Sequence, residues 1–202
     1  MMETLILLTL LAAGAVALKS RDQNRRIALL GRHLGRYRIE NLMERLTQGY
    51  LRALGESDPQ RRDQIWHLLA STETDLCEQF NLFAAEFSKV DEACARVSKI
   101  GFALAFADRL FSNATFDFRH ALRIHAQGIS EAIKDRPDLS PDHKAFILLA
   151  EMFLMQHSCH WFCRSKMVAS VRMLKRHQTT YAQALAAVSP ATRQAYCRLV
   201  GN

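Results

Sequence analysis

The spacing of hydrophobic positions along the chain is helical almost throughout. Over residues 22–54, apolar side chains recur among arginines at intervals close to one helical turn, which predicts one long amphipathic helix. A helix is also predicted near 90–112. It contains the run IGFALAFA (100–107), which is apolar on every face and predicts the buried centre of a bundle. Further helices are predicted at 58–87, 116–134, 141–176 (with a possible break near 163–166) and 178–188, followed by a short terminal helix.

Turn and cap residues divide this pattern. Gly55 ends the long helix, and Asp58 followed by Pro59 is typical of a new helix start. The segment 113–115 is a predicted break, and the polar, proline-bearing segment 134–140 is a predicted linker. With only 8 glycines and 4 prolines, the chain lacks the turn residues that many short strands would need. We therefore predict an all-α fold, a bundle of about five to seven helices preceded by a transmembrane helix.

The first eighteen residues predict a membrane anchor. Residues 5–18 read LILLTLLAAGAVAL without a charge, and a helix over residues 1–18 is about 27 Å long. A bilayer's hydrocarbon core is roughly 30 Å thick, so the segment is slightly short but sufficient if Lys19 extends its side chain to the interface. The domain boundaries predicted are 1–18 for the anchor, 19–56 for the long basic helix and 57–202 for the helical bundle.

The flanking charges give the anchor a direction. Only Glu3 and the terminal amine precede the apolar run, whereas seven cations follow it: Lys19, Arg21, Arg25, Arg26, Arg32, Arg36 and Arg38. Positive residues stay on the cytoplasmic side, so a single-pass protein with its amino terminus outside and its domain in the cytoplasm is predicted. Two alternatives stay open: a cleaved signal peptide of a secreted protein, ending near Ala17, and an ordinary core helix.

The carboxy-terminal quarter of the chain is purely cationic. The chain as a whole has a formal charge of +7, and no carboxylate side chain follows Glu151. An apolar stripe of Met167, Val168, Val171 and Leu174 runs beside basic residues, a pattern typical of a helix that lies on anionic lipid. The candidate residues for binding an anionic surface are Arg164, Lys166, Arg172, Lys175 and Arg176. Alternatively, the acidic stretch 73–92 could face these cations within the bundle. Nucleic-acid binding is disfavoured because no signature of a nucleic-acid-binding fold accompanies the charge.

One short cluster carries metal-ligand chemistry. On a helix, Cys159 and Cys163 lie one turn apart and His160 lies close to both, so the three could bind zinc. A fourth ligand is missing from the sequence pattern, and buried cysteines among apolar neighbours more often pack in a core. Five cysteines without the spacing of a disulfide scaffold indicate a reducing compartment.

The functional expectation is a membrane-tethered helical adaptor or assembly module. No glycine-rich phosphate loop, nucleophile elbow or zinc-protease motif is present in the sequence, so an enzyme is the less favoured class and no cofactor is expected. The expected partners are the membrane, through residues 1–18, and a protein partner or second copy, with anionic lipid as a further possibility. The alternative is a metal- or redox-dependent enzyme that uses the cluster at 157–163.

Overall fold

The computed structural model describes residues 1–101, 112–134 and 139–201. Within these ranges the protein is mostly helical, as predicted, and carries one two-stranded antiparallel sheet. Nine helices are described: α1 (Met2–Leu34), α2 (Ile39–Gly55), α3 (Pro59–Phe87), α4 (Glu92–Ala95), α5 (Phe118–Ala132), α6 (Pro141–Cys163), α7 (Lys166–His177), α8 (Tyr181–Ala187) and α9 (Pro190–Val200). The predicted number of five to seven for the bundle is not confirmed, since eight described helices follow α1, two of them with seven residues or fewer.

The long helix predicted over 22–54 is divided in two. α1 runs without interruption from the apolar segment to Leu34, and α2 begins only at Ile39. The turn between them lets Ile39, Leu42 and Leu46 bury their side chains against α3, which runs antiparallel to α2. A straight continuation of α1 would carry these side chains away from the core.

Local cap chemistry sets the helix starts. The Asp58 carboxylate accepts the backbone N–H of Gln60 at 3.0 Å, and α3 begins at Pro59 as predicted. Ser140 and Ser189 cap α6 and α9 in the same way, each followed by a proline in the first turn. α7 begins after the side-chain cap of Ser165, so the possible break near 163–166 is confirmed.

The helix predicted near 90–112 differs from the structure. Its described part forms the four-residue α4, and then β1 (Arg96–Ser98) pairs antiparallel with β2 (Thr115–Asp117), with Val97 opposite Phe116. The buried run predicted at 100–107 lies largely outside the described residues, as does the centre of the predicted linker at 134–140.

The central element of the described fold is α6. It contacts α1, α2, α5, α7 and α8, and nearly all the apolar residues of its second half are buried. An aromatic cluster fills the space between α3, α5 and α6, where Phe87 packs edge-to-face on Phe118 at 5.4 Å and on Phe162 at 5.9 Å between ring centroids. This core fixes the position of α1 relative to the rest of the domain.

Candidate functional site

The first half of α1 stands apart from the domain. Among the described helices, α1 alone is long and apolar enough to cross a membrane, and none of its most apolar 18-residue window is buried. The leader of a secreted protein can have the same length and composition, so these properties alone do not distinguish a membrane anchor from a cleaved signal peptide. The core-helix alternative requires burial that the described structure does not provide. The exposed large apolar side chains of this half are Met1, Met2, Leu5, Ile6, Leu7, Leu8, Leu10, Leu11, Val16 and Leu18.

The second half of α1 is fixed to the domain. Gln23 is its first buried residue, and the Gln23 amide oxygen accepts a 2.7 Å hydrogen bond from the Arg164 guanidinium. One turn later, Nη1 of Arg26 donates to the carbonyl of Arg96 at 2.8 Å, and its guanidinium lies over the ring of Phe162. Leu30 then buries its side chain in the core. The apolar half and the domain are thus joined by one continuous helix without a linker.

A single carboxylate holds the carboxyl end of α1. Glu86 on α3 accepts hydrogen bonds from Nδ1 of His33 at 2.9 Å and from the hydroxyl of Tyr37 at 2.8 Å, and it also pairs with Arg36. These hydrogen bonds and the Arg36 charge lower the pKa of Glu86 and keep it ionised at neutral pH. The turn between α1 and α2 is therefore fastened to α3.

The five cations predicted to bind an anionic surface do not lie together on one surface. Arg164 is bound to Gln23, and Lys166 lies over the rings of Trp161 and Tyr181, where burial lowers its pKa. The other three, Arg172, Lys175 and Arg176, share a cleft of about 430 Å³ between α6 and α7 with Gln156, His157, His160 and Met173.

The apolar stripe of α7 is solvent-exposed. Met167, Val171 and Leu174 expose 58%, 61% and 48% of their surface, at spacings of four and three residues along one helix face. Val168 is half-buried. The exposed apolar side chains predicted from the sequence pattern are thus accessible on the domain.

The acidic stretch 73–92 has other ion-pair partners within the described residues. Glu73 pairs with Lys144 at 2.8 Å, Glu86 pairs with the end of α1, and Glu92 pairs with Arg96. None of the described ion pairs joins this stretch to the cations of the carboxy-terminal quarter. The alternative in which the two regions neutralise each other is not supported by the described contacts.

The candidate metal ligands lie in the core. Cys159 and Cys163 are buried, and Sγ of Cys159 contacts the sulfur of Met155 at 3.9 Å. Burial raises the pKa of both thiols, that of Cys163 to about 11, which opposes the thiolate form that binds zinc. Nδ1 of His160 accepts from Arg172 at 3.3 Å. Among the described residues, no group of three His, Cys, Asp or Glu is placed to hold a metal ion, so this site stays a prediction.

A buried polar layer between α5, α6 and α9 was missed by the sequence interpretation. The hydroxyl of Ser158 lies 2.8 Å from Nε2 of His125 and 2.9 Å from the hydroxyl of Tyr196. Two turns earlier on the same face of α6, the fully buried Glu151 accepts the backbone N–H of Ser189 at 3.1 Å. The signal available in the sequence was a carboxylate and a serine seven residues apart, which lie on the same face of a largely apolar helix.

Burial controls the charge state of this layer. It lowers the pKa of His125 to about 3 and raises the pKa of Glu151 to about 7, although hydrogen bonds to Thr192 and Ser189 offset part of the Glu151 shift. Ser158 and His125 resemble a nucleophile and base in their spacing, but Ser158 and His125 are both fully buried, which closes them to substrate. Their hydrogen bonds join α5, α6 and α9 inside the core.

Comparisons with protein-family models, curated proteins and solved structures find no significant match to this chain. The functional proposal therefore depends on the geometry of the chain itself.

Proposed function

We propose that this protein is a membrane-tethered helical module that holds an interaction surface at the cytoplasmic face of a membrane. The observation that carries the proposal is the division of α1 into an exposed apolar half and a half fixed to the domain. Burying a leucine or isoleucine is worth about 1.5–3 kcal/mol, so exposing the whole apolar half to water is strongly unfavourable. A lipid bilayer supplies the missing apolar environment.

The junction between the apolar half of α1, which we call the tether, and the domain is a continuous helix, and this fixes the distance of the domain from the membrane. Gln23 lies five residues beyond Leu18, a rise of about 8 Å along a helix, so the domain sits directly against the headgroup region. A flexible linker would let the domain sample a range of positions, whereas this junction keeps its height and orientation fixed. Lys19, Arg21 and Arg25 lie at this boundary and favour the cytoplasmic side.

The interaction surface that we assign to the module is the exposed stripe of Met167, Val171 and Leu174 on α7. Apolar side chains at these spacings form the face that helical partners recognise, and the flanking cations would favour an acidic partner.

Membrane fractionation of the full chain tests the tether. The protein should remain in the membrane pellet after alkaline extraction, and Leu7→Lys with Leu11→Lys should release it. As a matched control, Leu51→Lys with Leu54→Lys changes two exposed leucines of α2 and should leave the protein in the pellet. Recovery of the intact, uncut wild type in the soluble fraction would contradict the proposal, and intact-mass measurement would reveal a cleaved leader.

A photo-crosslinking amino acid at position 171 tests the surface. In native membranes, a specific protein adduct is expected at this position and not at the exposed position 75 on α3. Protease protection of a tag at each terminus gives the orientation, with the carboxyl terminus expected on the cytoplasmic side. Equal crosslinking at both positions would remove the assignment of the α7 stripe.

A further inference from the structure

We propose that the cleft between α6 and α7 binds a phosphate-bearing ligand through Arg172, Lys175 and Arg176. This inference goes beyond the proposed function and does not depend on whether α1 enters a bilayer. It rests on the way the structure gathers three cations around one concave surface of about 430 Å³.

Within the part of the chain that the structure describes, the cations of the cleft have no anionic partner. Arg172, Lys175 and Arg176 make no ion pair with any carboxylate of the described residues, and no carboxylate lines the cleft. Arg172 and Arg176 lie one turn apart on α7, where like charges repel each other. The dipole of α7 favours Lys175 and Arg176 in its last turn, but Arg172 lies one turn earlier. An anion between these side chains would neutralise charge that the described residues leave unbalanced.

The remaining walls suit hydrogen bonding to an anion. His160 accepts from Arg172 through Nδ1, so its neutral ring carries the proton on Nε2 and offers a donor. Burial and the charges of Arg172 and Arg176 lower the pKa of His160 to about 4, which shows the positive field on this side of α6. Met173 and His157 are buried behind the polar groups and give the cleft a closed inner side.

Phosphate is the chemistry that this set of donors recognises best. The planar guanidinium groups of Arg172 and Arg176 can each form two parallel hydrogen bonds to phosphate oxygens, and Lys175 adds a compact charge. A phosphate group can come from a soluble molecule or from a lipid headgroup. His160 of the cleft lies about one turn before Arg164, which is bound to Gln23 in the domain-bound half of α1.

Titration of inorganic pyrophosphate into the full chain, held in neutral detergent micelles at fixed ionic strength, tests the proposal by calorimetry. We expect saturable binding at one site. Arg172→Gln with Arg176→Gln should weaken it at least about tenfold, because two charge-assisted contacts are lost. Arg193→Gln with Arg198→Gln is the matched control, since it removes two exposed arginines of α9 from the same carboxylate-free quarter.

Two further measurements complete the test. Circular dichroism should show that both double variants fold, since all four arginines are exposed. In nanodiscs of phosphatidylcholine with phosphatidylglycerol, weaker pyrophosphate binding than in pure phosphatidylcholine identifies a headgroup as the native source, and unchanged binding identifies a soluble phosphate. Absence of saturable binding in the wild type, or equal weakening in the control variant, overturns the proposal.

Discussion

The hydroxyl of Tyr37, just after α1, donates a 2.8 Å hydrogen bond to the carboxylate of Glu86, near the end of α3. Forty-nine positions separate the two residues in the chain. This contact, with those of His33 and Arg36 to the same carboxylate, turns the chain from α1 into α2 and fixes the end of α1 to the domain. The orientation of the apolar half of α1 therefore depends on a residue far from it in sequence.

Replacing Glu86 with Gln should lower the melting temperature at neutral pH, because the variant loses the charge that His33 and Arg36 contact. The pKa of Glu86 is lowered in the folded protein, so its contribution to stability is present above the ordinary glutamate pKa of about 4.3. That contribution is lost as the pH falls through the lowered folded value. The difference in melting temperature between wild type and variant should consequently shrink in acid.

Thermal unfolding followed by circular dichroism at neutral and acidic pH measures this difference. Glu78→Gln is the control, since Glu78 is exposed on the same helix. Equal melting temperatures for the wild type and Glu86→Gln at neutral pH would show that the carboxylate does not fasten the junction.

Gly128 and Gly31 should respond in opposite directions to substitution by alanine. A Cβ atom at Gly128 would lie 2.4 Å from Oε2 of Glu151 and 2.5 Å from Oγ1 of Thr192, both of which are buried. Overpacking of this kind costs about 1–3 kcal/mol. Nothing lies within 4 Å of a Cβ atom at Gly31 in α1, so Gly31→Ala should stabilise by about 0.5–1 kcal/mol through helix propensity.

Urea unfolding of the wild type and the two variants gives the change in the free energy of unfolding that each substitution causes. A stabilising effect of Gly128→Ala would mean that Glu151 and Thr192 do not approach α5 as closely as the structure shows.

The sequence predicts best what local chemistry determines. The start of α3 at Pro59 was predicted from Asp58 placed before a proline, and it is confirmed. Ser140 and Ser189, also placed before a proline, cap α6 and α9 in the same way. The strands β1 and β2 were missed because three-residue strands have no measurable hydrophobic period and are paired across residues distant in sequence. The break between α1 and α2 was missed for a similar reason, since it depends on Glu86.

For the candidate sites, the sequence predicted which residues could take part but not which of them lie together in space. Sequence spacing identified Arg172, Lys175 and Arg176 as cations of α7, but their convergence on one cleft depends on how α7 packs against α6. The same packing separates Arg164 and Lys166 from them. Glu151 was taken only as the last carboxylate of the chain, because its burial follows from the position of α9.

Cys159 and Cys163 should resist modification by a maleimide in the folded protein at neutral pH. Both are buried and burial raises the pKa of both thiols, so little reactive thiolate is exposed. The half-buried Cys94 should react faster and serves as the internal control. Mass spectrometry after timed labelling, with and without denaturant, resolves the sites. Rapid labelling of Cys163 in the folded chain would favour the alternative of a redox-dependent enzyme that uses the cluster at 157–163.

Substituting Glu151 with Gln should remove a pH dependence of stability. Burial raises the pKa of Glu151 to about 7, so the folded protein keeps this proton over a range in which the unfolded chain has released it. The free energy of unfolding of the wild type should therefore fall as the pH rises from the ordinary glutamate pKa of about 4.3 towards the folded value. Above the folded value the two states carry the same charge at this position, and the contribution becomes constant.

Relative to Glu151→Gln, the wild type should lose on the order of 2–4 kcal/mol across this interval, since one pKa unit corresponds to about 1.4 kcal/mol. Gln keeps the size of the side chain and cannot ionise, so its unfolding profile lacks this contribution. Chemical denaturation at pH steps from 4 to 8 gives both profiles, with Asp142→Asn on the exposed start of α6 as the control. Parallel profiles for the wild type and Glu151→Gln would show that Glu151 ionises as freely in the folded protein as in water, which its complete burial against α5 and α9 does not allow.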